Sequence, residues 1–124
     1  MIRYVMVGSN DVARAEGFYA PVLAPLGFTK NETLSSERGP WFSPAKPGPM
    51  FVVCQPYDQQ PATAGNGSMT ALSAPTREAV EAVYSAALAA GGSDEGAPGD
   101  RGSGFYGAYF RDLDGNKVCV FKMG

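Results

Sequence analysis

The chain has 124 residues, 44% of them hydrophobic, which supplies apolar side chains for one core and is too short for two ordinary domains. Its 10 basic and 12 acidic residues are scattered and leave a net charge of -2, so no cationic stripe marks a nucleic-acid surface. Histidine is wholly absent, which removes the commonest metal ligand and the commonest general acid-base.

Residues 2–7 form a β-rich run ending at Gly8-Ser9-Asn10-Asp11, where Asn10 or Asp11 can accept hydrogen bonds from the free amides of a following helix. Apolar residues then recur at helical spacing through Ala15, Phe18, Tyr19, Val22, Leu23 and Leu26, and Gly27 closes the element. Pro21 and Pro25 predict a kink or short break near its end. Three strands are expected next, over 28–34, 40–43 and 50–55, separated by Gly and Pro as meander turns require. Residues 57–67 are polar and aperiodic and read as a linker.

The pattern then restarts. A strand is expected over 68–74, followed by a helix with Thr76 as N-cap, Glu78 in its positive first turn, and Ala79, Val80, Val83, Tyr84, Ala87 and Leu88 as its buried stripe up to Gly91. Residues 92–103 are Gly- and Asp-rich and read as a loose stretch. Strands over 105–111 and 117–122 follow, joined by a hairpin at Asp112-Leu113-Asp114-Gly115-Asn116, in which the two aspartates serve the turn.

Each half therefore reads as strand, helix, then two or three strands. The expected class is α+β: a single domain over 1–124 built of two βαβββ modules, 1–56 and 68–124, joined by 57–67. Two such sheets can curve together into a cup around a pocket.

Particular residues strengthen this reading. The stretch from Ser9 to Tyr19 with its Phe18-Tyr19 pair, the segment Val22-Leu23-Ala24-Pro25-Leu26-Gly27-Phe28, the second helix around Ala74 to Gly92, and Arg111-Asp112-Leu113-Asp114-Gly115-Asn116 resemble the vicinal oxygen chelate superfamily, the group of glyoxalases, bleomycin-resistance proteins and extradiol dioxygenases. Leu113 replaces the Pro common in that hairpin. The resemblance implies the two-module cup and, by analogy, a homodimer. Members that hold a divalent metal place His on the first strand, His on the strand opening the second half and Glu on the last strand. The matching positions here are Tyr4, Met69 and Cys119, and the fourth strand, Phe51-Val52-Val53-Cys54-Gln55, adds no carboxylate. No metal and no cofactor are expected on this basis.

The expected ligand-binding residues are Tyr4, Met6, Trp41, Met69, Tyr106, Cys119 and Phe121, with Phe51 and Tyr109 as further aromatics in segments expected to face the cup. Arg38 and Arg101 would meet an anionic ligand at the mouth, or else be solvated surface cations. Cys54 and Cys119 sit in apolar strands and are expected to be free thiols. The implied function is metal-independent binding of a small molecule, aromatic or anionic, in the manner of the antibiotic-sequestering members. The alternative is a glyoxalase-like lyase or dioxygenase-related enzyme with a non-standard site. A filled cup serving protein interaction is the third reading. The early turn to polar residues after Val7 and the lack of a long apolar run give a cytoplasmic protein with no membrane contact as the expectation.

Overall fold

Asp11 opens the first helix: its Oδ1 accepts the Arg14 amide at 3.0 Å, satisfying one of the free donors of α1 (Val12–Leu23). In the computed structural model, which describes all 124 residues, β1 (Tyr4–Gly8) precedes this helix. Pro21 lies inside α1, and Pro25 sits in the 3-10 turn Ala24–Leu26 that follows it. Gly27, at φ 84°, ends the element in the left-handed region that its missing Cβ permits. The expected break thus takes the form of a tightened last turn.

Strands β2 (Thr29–Lys30), β3 (Trp41–Ser43) and β4 (Met50–Cys54) complete the first sheet in the order β1-β4-β3-β2, with β1 parallel to β4. The strand expected over 28–34 is cut to two residues because Asn31 turns the chain: its Oδ1 accepts the Leu34 amide at 3.0 Å. Residues 57–67 contain no helix or strand.

The second half repeats the plan. After β5 (Thr70–Ser73) comes α2 (Arg77–Ala89), capped by Thr76 Oγ1 accepting the Ala79 amide at 3.0 Å. Then follow β6 (Ser93–Asp100), β7 (Phe105–Arg111) and β8 (Lys117–Met123), in the order β5-β8-β7-β6. The reading of 92–103 as a loose stretch is corrected by β6. Its sequence, SDEGAPGD, has no strand propensity, but it is an edge strand paired antiparallel with β7 through two register shifts. Edge position and bulges let a sheet carry Gly and Pro that a central strand would reject. The hairpin between β7 and β8 is held by Asp112 Oδ1, which accepts the amides of Asp114 and Asn116 at 2.9 Å each.

One core serves both halves. Phe18, Tyr19, Val22 and Leu23 of α1, Val80, Val83 and Ala87 of α2, Phe42, Phe51 and Val53 of the first sheet, and Ala108, Phe110, Val118 and Val120 of the second form a single buried cluster. Phe18 stands 6.3 Å from Phe110 between ring centroids, so α1 packs against the second sheet as well as its own. Each sheet therefore has one face covered by the shared helical core. The opposite face of each sheet turns away from that core.

Candidate functional site

Strand alternation decides which side chains reach the open faces. Val5, Val7, Phe51 and Val53 belong to or pack on the core, so their neighbours Tyr4, Met6 and Val52 take the opposite side. Register places Trp41 and Met6 on either side of Val52, giving a row across three strands. The Tyr4 and Trp41 rings meet at 4.7 Å between centroids, tilted by 55°. Tyr4 and Met6 are each about half exposed, while Val52 beneath them is fully buried.

On the second sheet, Val118 and Val120 enter the core, leaving Cys119 and Phe121 on the open face. Cys119 pairs with Ala71 on one side and Tyr109 on the other, and Phe121 stacks on Phe105 at 5.0 Å with a 9° interplanar angle. Met69 precedes β5 and shares a cleft of about 240 Å³ with Met6, Ser68 and Asn116. None of the three principal cavities joins the Tyr4–Trp41 pair to Cys119 and Phe121. Met6 and Met69, lining one cleft, stand between these two groups of side chains.

Two expectations about direction are corrected. Tyr106 faces the helices: its hydroxyl donates to Glu81 at 2.6 Å, and Arg77 lies 4.7 Å above its ring. That hydrogen bond raises the Tyr106 pKa, with Arg77 opposing. Phe51 is likewise buried in the core. A period of two places Tyr106 on the face opposite Tyr109 and Phe51 on the face opposite Val52. Phe105, Lys117 and the full surroundings of Tyr109 were missed, and the same parity would have found them.

The open face of the second sheet is also the more charged. Arg101 lies 5.4 Å and Lys117 5.6 Å from the centre of the Tyr109 ring. Glu95 sits 3.5 Å from Arg111 and 4.0 Å from Lys117, one carboxylate shared between two cations. Arg38 rests over Tyr57 at 5.1 Å and donates to the Gln55 carbonyl at 3.1 Å.

The model of the Glyoxalase/Bleomycin resistance protein/Dioxygenase superfamily matches residues 1–120 of the chain. The chain belongs to this superfamily. A glyoxalase/bleomycin resistance protein from Albidiferax ferrireducens T118 is 35% identical over 100% of this chain and 99% of its own, with a TM-score of 0.88. A family enzyme from Burkholderia phytofirmans PsJN (22% identity, 98% and 97% covered, TM-score 0.77) shares the fold. So does TnmS3, an antibiotic binding protein from Streptomyces sp. CB03234 (20% identity, 100% and 96% covered, TM-score 0.67). No curated protein matches the chain.

Within this superfamily a divalent metal is the usual centre, and the donor chemistry here does not fit one. The matching positions offer a phenol, a thioether and a thiol in Tyr4, Met69 and Cys119. Hard divalent ions require carboxylate, imidazole or water oxygens, and nowhere do three acidic, Cys or His residues gather. Burial pushes the Cys119 pKa up, opposed in part by the Tyr109 hydroxyl and by the charges of Arg101 and Lys117. The raised pKa lowers the thiolate content on which nucleophilic attack depends. Cys54 is also a free thiol and donates to the Gln55 carbonyl at 3.1 Å.

Proposed function

We propose that the protein binds a small molecule between aromatic and thioether walls, without a metal and without covalent chemistry. The observation that carries this reading is the Tyr4–Trp41 pair beside exposed Met6 and Met69, on sheet faces that a folded chain would otherwise bury. Flat rings and polarizable sulfur grip apolar or aromatic surface with few directional demands. TnmS3, an antibiotic binding protein, shows that this fold can serve to hold a small molecule.

A second copy of the chain closes the site. Because the covered faces share one core, each open face needs another sheet opposite it to form a cup, and a two-fold dimer supplies both at once. The unpaired thiols of Cys54 and Cys119 suit a reducing, cytoplasmic setting.

The test uses Trp41, the one tryptophan, as reporter. Titrating a panel of aromatic antibiotics and metabolites into the full-length protein should quench or shift its emission and raise Tm, with no dependence on added divalent ions. Turnover of a hemithioacetal or a catechol, abolished by Tyr4→Phe or Cys119→Ala, would replace this reading with an enzyme. A monomer by light scattering, while ligand is bound, would overturn the dimeric cup.

A further inference from the structure

Arg101 follows β6 directly and its side chain turns back over that strand. The guanidinium lies along two glycines: a Cβ on Gly99 would stand 2.8 Å from its Nη1, and one on Gly96 would stand 3.1 Å from its Nη2. Any side chain at Gly99 would therefore displace it. Below it lies the Tyr109 ring, with the centroid 5.4 Å away. The backbone is fixed too, since the Arg101 amide donates to the Phe105 carbonyl at 2.7 Å.

The side chain is positioned yet not neutralised. Its Nη2 donates to the Ala97 carbonyl at 2.7 Å, and Arg101 takes part in none of the ion pairs of the chain. A guanidinium has five N–H donors, so most remain for a ligand. The adjacent acidic groups are committed elsewhere: Glu95 to Arg111 and Lys117, Asp94 to the Tyr84 hydroxyl and the Gly96 amide, Asp100 to the Gly102 amide. Lys117 adds a second cation 5.6 Å from the centre of the same ring.

We infer that Arg101, seated on Gly96, Gly99 and Tyr109, is an oxyanion subsite, so that the ligand is an aromatic molecule bearing a carboxylate or a group of like geometry. This rests on the aromatic cup proposed above. The planar fork of Arg pairs with two oxygens at once, and the Tyr109 face and Phe105–Phe121 stack offer flat surface alongside. The positive charge also selects, because a neutral ligand of the same shape leaves the guanidinium without its anion.

Two probes of one shape, 1-naphthoate and its neutral amide 1-naphthamide, separate the inferences when titrated calorimetrically into the full chain. Wild type should bind naphthoate about tenfold or more tightly than naphthamide. Arg101→Gln should erase that preference by weakening naphthoate about tenfold more than it weakens naphthamide. Gly99→Ala, which keeps the arginine but takes its seat, should do the same, and Arg101→Lys should fall between. Equal affinity of wild type for the two probes, or a preference that survives Arg101→Gln, overturns the oxyanion subsite and leaves the aromatic cup standing. Failure of both probes to bind overturns both.

Discussion

The Tyr19 hydroxyl of the first helix donates to Asp112 Oδ2 of the last hairpin at 2.5 Å, joining the two halves through a fully buried contact. The residues are 93 positions apart. Around them, Asn116 Nδ2 donates to both Asp112 Oδ2 and the Gly8 carbonyl at 2.9 Å, and the Asn10 amide donates to Asp114 Oδ1 at 3.0 Å. The acidic hairpin is thus a clasp on the first module as well as a turn. Tyr19→Phe should destabilise the fold by about 2 kcal/mol, the cost of leaving a buried carboxylate oxygen short of a donor. Chemical denaturation measures this, and Asp112→Ala should cost more because the turn amides lose their acceptor too.

The same pair sets an alkaline limit. Burial first, and then the charge and hydrogen bond of Asp112, raise the Tyr19 pKa well above its ordinary 10.0. Below pH 10 both folded and unfolded states hold the proton, so this contribution to stability is complete. Above it the unfolded chain loses the proton while the folded one keeps it. Stability should then fall, with Tyr19 adding a slope approaching about 1.4 kcal/mol per pH unit. Denaturant midpoints between pH 9 and 11 should decline less steeply in Tyr19→Phe. Equal slopes would show that Tyr19 titrates alike in both states.

Gly39 is a backbone contact that admits no side chain. At φ 145°, a Cβ there would lie 1.9 Å from the Val53 carbonyl oxygen, beside the strand that carries Val52. Gly39→Ala should destabilise by more than about 3 kcal/mol, from backbone strain and the displacement of β4. Gly67→Ala is the control, with φ also positive but nothing within 4 Å, and should cost only about 1 kcal/mol. Similar losses for the two would refute the close approach as the cause.

Cys119 should be unreactive in the folded protein. It is buried and its pKa is raised, so both access and thiolate content are low. In a Cys54→Ala background, alkylation by iodoacetamide at pH 8 should run at least about a hundredfold slower than in the unfolded chain. Rapid labelling, or protection lost only on Tyr109→Phe, would return the thiol to consideration as a nucleophile.

Much of this was legible in the chain itself. Thr76 is readable as a cap and the first cap as Asn10 or Asp11, because a short side-chain oxygen before a periodic run has one obvious use; only the folded chain selects Asp11. The hairpin at 112–116 was readable from Asp-Gly spacing. β6 was not, because its glycines and proline deny it local propensity and only pairing with β7 makes it a strand. Among the candidate site residues, alternation places Tyr4 with Met6 and Cys119 with Phe121, and puts Tyr106 on the opposite face from Tyr109.

The sequence by itself determined the two-module plan, since periodicity, caps and turn residues are local properties written in neighbouring positions, and its Phe18-Tyr19, Pro25 to Phe28 and Asp112 to Asn116 segments carried the resemblance to the superfamily. It also determined the loss of the metal donors at Tyr4, Met69 and Cys119. Only the tertiary structure decided that both helices share one core, that the open faces consequently point outward, and that Arg101 rests on Gly99 and Tyr109 without a carboxylate partner. Those are relations between distant segments. They depend on how helices pack across modules and on which backbone makes room for a side chain, and no local pattern encodes either.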